Sequence, residues 1–173
     1  MIFREQDIKV NGRLSVNKRY KGEFCWNHVQ NNQITTNGLL IIASMLAGRG
    51  SYALTKMGFG DGTSMATSGD LELAGDYYRI ESSFLDLGNT HTEGVNKAVI
   101  AWALDYNTDI SGQIFITQTG SEEWPAGTSF TIKEFALFAT NDTMFNRIKW
   151  TGPDLVMDTD VSLEGTFQIT ISL

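Results

Sequence analysis

Apolar and polar residues alternate most regularly at the C-terminus, in VSLEGTFQITISL. Val161, Leu163, Phe167, Ile169, Ile171 and Leu173 share one parity, and Ser162, Glu164, Thr166, Gln168, Thr170 and Ser172 the other. A period of two over that length predicts a strand with one buried and one wet face. The run NKAVIAWALDY is apolar on both parities (Val99, Ala101, Ala103; Ile100, Trp102, Leu104), as for a strand covered on both sides or facing a partner subunit. In GTSFTIKEFALF, Phe130 and Ile132 are out of phase with Phe135 and Leu137. That phase break predicts two partly buried faces or, as the preferred reading, a bulge near Lys133 and Glu134. RLSVNKRY, EFCWNHV, SYALTKMGF, YYRIESSFLDL, GQIFITQT and MFNRIKW are further strand candidates, separated by clusters of Gly, Asn and Asp.

Helical periodicity stands out once. In ITTNGLLIIASMLAG, Leu39, Ile42, Ala43 and Leu46 recur at helical spacing, while Leu40, Ile41 and Met45 make most of the remaining surface apolar. The pattern predicts a helix near residues 36–47, buried on nearly all sides, with Thr35 or Thr36 as N-cap and Gly48 as a left-handed stop. Nine or so strands and one helix give a mostly β fold class: an antiparallel β-sandwich or flattened barrel with one buried α-helix.

Composition narrows the function classes. The chain has 173 residues, within the usual size of one domain, and its 42% apolar content with ten phenylalanines excludes a disordered chain. Thirteen basic against twenty acidic residues leave a net charge of −7, and the densest basic cluster is Lys18-Arg19-Tyr20-Lys21. Direct nucleic-acid binding needs many clustered phosphate contacts and is not expected. The longest apolar run, residues 39–47, is far short of the roughly 20 residues that span a bilayer, so membrane insertion is not expected. MIFREQDIKV lacks the uninterrupted apolar centre of a secretory signal. A lone cysteine, Cys25, closes no intrachain disulfide and reads as a small hydrophobe.

The chemical motifs fail on spacing. The glycine-rich stretch GFGDGTSMATSGD, residues 58–70, places Thr63 where the third glycine of a dinucleotide fingerprint belongs. Gly48, Gly50 and Ala53 do match that pattern, but after a helix and before a strand, the reverse of the order the mechanism requires. Gly60, Asp61 and Gly62 fit a tight structural turn whose positive torsions suit Gly and Asp. An EF-hand reading of Asp158-Thr159-Asp160-Val161-Ser162 needs Gly at its sixth position and Glu at its twelfth, where Leu163 and Ile169 stand. Cys25, His28 and His91 are too scattered for a structural zinc site, and three residues along a strand set Cys25 and His28 on opposite faces. Glu122-Glu123, before Trp124-Pro125, reads as a solvated loop rather than a glycosidase pair. No catalytic residue, metal site or cofactor is expected, and the chain does not read as an enzyme. Trp124 and Trp150, near turns, are the candidates for stacking on a sugar, against burial as the commoner fate of tryptophan.

The order of pieces carries a resemblance. A helix beginning Thr36-Asn37-Gly38-Leu39-Leu40 leads to a short strand and the turn Gly60-Asp61-Gly62-Thr63, then Asp70-Leu71-Glu72-Leu73-Ala74 and Arg79. Later come Glu134-Phe135-Ala136-Leu137-Phe138, then Met144-Phe145-Asn146-Arg147 and a final alternating strand. This resembles a family of small tailed-bacteriophage virion proteins of the tail, baseplate or fibre. The resemblance covers residues from about 33 to 173. It departs from the family pattern at Ala136, where a glycine is common, and leaves residues 1–32 as N-terminal strands or an attachment arm on a 33–173 sandwich domain. It implies a virion structural protein, assembled in the bacterial host cytoplasm, that forms homo-oligomers and contacts other virion proteins as a tail- or fibre-associated adapter. Capsid decoration, a head fibre or a module binding host surface glycan are the alternatives, and a glycan-degrading enzyme ranks below them.

Overall fold

The computed structural model describes residues 9–49, 53–75, 77–81, 85–92, 95–117 and 120–172, with 77–81, 85–92, 95 and 115–117 through their backbone alone. In chain order the elements are β1 (Lys9–Tyr20), β2 (Glu23–Ile34), α1 (Thr36–Leu46), β3 (Leu54–Gly60), β4 (Tyr77–Glu81), β5 (Leu85–Thr92), β6 (Val95–Asp105), a π-turn (Tyr106–Ile110), β7 (Ile114–Thr117), β8 (Gly120–Glu123), β9 (Phe130–Thr131), β10 (Glu134–Ala139), β11 (Met144–Lys149), β12 (Val156–Met157) and β13 (Val161–Ser172). The mostly β, antiparallel class read from the alternation is the fold observed. One sheet runs β5-β6-β13-β1-β2-β11-β10-β3-β4-β7-β8, and β12 pairs with β9 in a small second sheet.

The long sheet closes over itself. β6 and β10 are five strands apart in that order, roughly 24 Å in a flat sheet at about 4.8 Å per strand. Yet the rings of Trp102 in β6 and Phe135 in β10 lie 5.9 Å apart. The sheet therefore curls until its two halves face each other, the flattened barrel or sandwich that alternation predicts. Leu14, Val16, Ile100, Trp102, Leu104, Phe135, Leu137, Val161, Leu163, Phe167 and Ile169 fill the space between them. β13 keeps the expected one-sided pattern, with Val161, Leu163, Phe167 and Ile169 buried.

Residues 9–32 are part of this body. β1 is paired with β13 along its whole length, from Lys9–Ser172 to Tyr20–Val161, and with β2 on its other side. Leu14 and Val16 are fully buried in the core. Of the two expectations for residues 1–32, N-terminal strands or an attachment arm, residues 9–32 follow the first, and residues 1–8 lie outside the described residues; a strand bonded on both edges is interior to its sheet.

Three expectations are corrected: the bulge near Lys133 and Glu134, the reading of Cys25 as a small hydrophobe, and the burial of α1. At Lys133 and Glu134 the phase break is a change of sheet and not the preferred bulge, since β9 pairs with β12 and β10 with β3 and β11; the register of β10 shifts only further on, at Leu137–Ala139, and the other reading, burial on both faces, holds for β10. Between them Ile132 N–H donates to Leu155 O and Lys133 N–H to Gly60 O. All six residues of β10 are buried because its outer face is covered by the 61–75 loop, whose Leu73 packs with Ala136, Phe138 and Met144. Cys25 is exposed on β2. In β6 the inward side carries the buried Ile100, Trp102 and Leu104, while on the other side Val99 and Ala101 are half-buried and Ala103 is exposed, so of the two expectations for this run full cover on both sides by the chain itself is not what is observed.

The third correction concerns α1. Its ends are as expected: Thr35 caps the helix by accepting from Gly38 N–H at 3.0 Å. Gly48, at φ +65°, ends it, with Arg49 N–H donating to Ser44 O and Gly48 N–H to Met45 O. Its environment is not as expected, because only Gly38 and Ile41 are buried. Gly38 lets the helix approach β11 closely; a Cβ there would sit 2.0 Å from Phe145 O. With the space inside the sheet filled by strand side chains, the helix attaches by this one side. Leu39 (45%), Leu40 (58%), Met45 (53%) and Leu46 (76%) remain open to solvent.

Candidate assembly surface

Beneath the 61–75 loop lies a buried ion-pair network. Glu134, the first residue of β10, and Arg147, within β11, project on the outer face that the loop covers, and they are 0% and 2% exposed. Burial of charge at this depth requires pairing and full hydrogen bonding. Both conditions are met. The Glu134 carboxylate accepts from Gly62 N–H (3.0 Å) and Gly75 N–H (2.8 Å) at Oε1, and from Ala74 N–H (3.1 Å) and Arg147 Nε (2.9 Å) at Oε2. The Arg147 guanidinium also donates to Asp70 Oδ2 (2.7 Å), Met65 O (3.3 Å), Ser64 O (3.1 Å) and Ser64 Oγ (2.9 Å). A guanidinium has five N–H donors, and these bonds engage all of them.

The charges reinforce one another. Burial opposes ionisation of Asp70, but hydrogen bonds from Thr67 N–H, Arg147 and the Thr67 hydroxyl, with the Arg147 charge, outweigh it and hold the carboxyl below its ordinary range. Burial likewise opposes the charge of Arg147, and its bonds to Asp70 and Glu134 with their charges raise its pKa instead. The network is a staple that ties both ends of the 61–75 loop to the β10–β11 hairpin. It leaves no donor of Arg147 for a ligand.

Gly62 belongs to this staple, for a reason different from the one expected. Its φ is not positive, and it closes no left-handed turn; a Cβ there would lie 2.2 Å from Glu134 Oε1 and 2.6 Å from Gly75 N. Close approach of backbone to carboxylate is what demands glycine. Gly60 is the last residue of β3, paired with Glu134, and Asp61 follows it, with Oδ1 2.1 Å from where a Gly75 Cβ would stand.

The staple fixes what lies above it. The loop adjoins the start of α1 through Thr36 N–H donating to Ser68 O at 2.7 Å. Helix and loop together expose Leu39, Leu40, Met45, Leu46, Met65 (68%) and Leu71 (71%). Soluble monomers seldom leave the apolar side of a helix open in this way unless the surface binds something.

The other sequence candidates are placed elsewhere. Trp124 is 4% exposed, donates Nε1–H to Thr128 O and packs edge-on against Phe130 at 5.2 Å. Trp150 is 8% exposed, donates to Pro153 O and packs among Trp26, His28 and Phe135. Neither offers a free ring face for a sugar. Asp158 and Asp160 flank the entry to β13, where Asp160 takes φ +70° and its carbonyl accepts from Lys21 N–H. Among the described residues no three His, Cys, Asp or Glu side chains are grouped to hold a metal ion, and no helix is long and apolar enough to cross a membrane. The side chains of His91 and Arg79 lie outside the described residues.

Sequence reasoning quoted Glu134 and Arg147 without giving them a role. A signal was present: Glu134 opens the apolar run FALFA and Arg147 lies between the apolar Phe145 and Ile148, and opposite charges in neighbouring strands pair when both are buried. Compared with family models, curated proteins and solved structures, the chain matches none of them.

Proposed function

We propose that this chain is a structural component of a tailed-bacteriophage virion, a tail- or fibre-associated adapter that acts by protein–protein assembly and has no catalytic step. The observation that carries the reading is the solvent-facing apolar side of α1, a helix whose composition calls for burial on nearly all sides. A partner in the assembled particle supplies the missing cover. The staple supports the same reading, because its ionisable groups are spent on holding the 61–75 loop rigid beside that helix. The order of motifs from Thr36 to Arg147 directs the reading to phage virions. Assembly then takes place in the host cytoplasm, with copies of this chain and other virion proteins as partners. Burial of Trp124 and Trp150 argues against a sugar-stacking module built on those rings.

Mass spectrometry of gradient-purified phage particles tests this. Peptides of this chain are expected at a stoichiometry comparable with other minor structural proteins. Their absence from intact particles of a phage that expresses the chain overturns the assignment.

A further inference from the structure

The exposed side of α1 has a pattern of its own. On a helical projection Leu39, Leu40, Ala43, Leu46 and Ala47 fall within one arc of roughly 120°, at i, i+3, i+4 and i+7 spacings. All five are exposed. That is the spacing of a helix-pairing seam, with the small Ala43 near its middle, where two backbones can approach closely. The seam is also uncharged. From Phe24 to Gly48 the chain contains no Asp, Glu, Lys or Arg, although 19% of its residues are of these types and the net charge is −7.

We infer that α1 is a homotypic docking surface, on which two copies of this chain pair their helices antiparallel about a two-fold axis near Ala43. The charge pattern selects the occupant. Two copies that each carry −7 repel one another over most orientations, and the uncharged helix is where they can meet without that penalty. A partner of opposite charge would be met by complementary charges, and the seam offers none. The seam is also self-complementary. Reversing the helix about Ala43 sets Leu39 of one copy near Leu46 and Ala47 of the other, so each contact occurs twice, as an isologous interface requires. An eleven-residue helix is about 16 Å long and supplies less than the roughly 800 Å² per partner of a standard interface. The 61–75 loop, bonded to the start of the helix through Thr36 N–H and Ser68 O, exposes Met65 and Leu71 as further apolar side chains. A contact this small belongs with weak, reversible interfaces, which suits one completed during assembly.

This inference rests on the assembly reading for one point only, that protein covers the stripe. Sedimentation equilibrium of the full chain from about 1 to 100 µM tests it, with Ala43→Glu and Leu46→Glu as variants. Both positions are solvent-exposed, so the fold of a single copy is expected to be kept, as a thermal melt by circular dichroism verifies. The wild type is expected to approach twice its 19.2 kDa mass at the higher concentrations, and each variant to weaken dimerisation at least tenfold. A wild type that stays monomeric throughout, or a dimer indifferent to both variants, overturns the pairing. A chain that is monomeric in solution yet present in particles defeats the pairing and leaves the virion reading standing. A dimer absent from particles does the reverse.

Discussion

Glu134→Gln is the sharpest perturbation of the buried staple, since it changes charge and donor pattern with almost no change of shape. In the native protein both oxygens of Glu134 accept two hydrogen bonds: Oε1 from Gly62 and Gly75, Oε2 from Ala74 and Arg147. Whichever way a glutamine is turned, its NH2 group replaces one of these oxygens and faces two donors. The substitution also leaves Arg147, 2% exposed, with Asp70 as its one remaining charge partner in the network. Breaking one side of a buried ion pair costs about 3–5 kcal/mol. Two lost bonds to a charged acceptor, at about 1.5–3 kcal/mol each, give a similar figure. For a chain of this length, 1 kcal/mol corresponds to about 2–4 °C, so the midpoint of thermal unfolding is expected to fall by roughly 6–20 °C. Differential scanning calorimetry reads this directly. The double variant Glu134→Leu/Arg147→Met, which removes both charges, is expected to recover part of the loss. A Glu134→Gln midpoint within about 2 °C of the wild type refutes the staple as described.

Gly62→Ala places a methyl group against Glu134 Oε1 and is expected to lower stability by about 1–3 kcal/mol in urea titration; an unchanged midpoint would mean that the loop does not hold this close approach. Thr35→Val removes both the cap on Gly38 N–H and the hydroxyl bonded to the Met144 and Phe145 carbonyls, at an expected cost of about 1–2 kcal/mol. The same titration reads it, and a loss near zero would show that α1 does not depend on the cap. Asp70→Asn is pH-dependent. The folded pKa of Asp70 is depressed, so its contribution is complete above the unfolded value near about 4 and is lost as pH falls through the folded value. The variant is therefore expected to be less stable than the wild type at pH 7, with the gap narrowing as pH falls below the unfolded value of about 4; a gap constant with pH contradicts the assignment.

Much of the fold was legible because alternation is a local signal. The twelve-residue β13 shows its inner and outer faces in the sequence, and the ends of α1 are written in Thr35 and Gly48. What escaped depends on partners distant in the chain. Nothing local to Glu134-Phe135-Ala136-Leu137-Phe138 announces that a loop some sixty residues earlier seals the second face of β10, so full burial looked like a bulge. Gly62 was legible as a constrained residue but not as one constrained by a carboxylate 72 positions away. For α1 the apolar pattern is consistent with burial, and the curled sheet leaves no room for it inside. That conflict between composition and environment is the strongest pointer to function in the molecule.

Gold-labelled antibody against this chain, imaged on purified phage particles by electron microscopy, tests the central claim most directly. Label at the tail or its fibres is the predicted result. Label over the head would contradict the adapter placement and make the chain a capsid protein, and unlabelled intact particles would contradict the virion assignment itself.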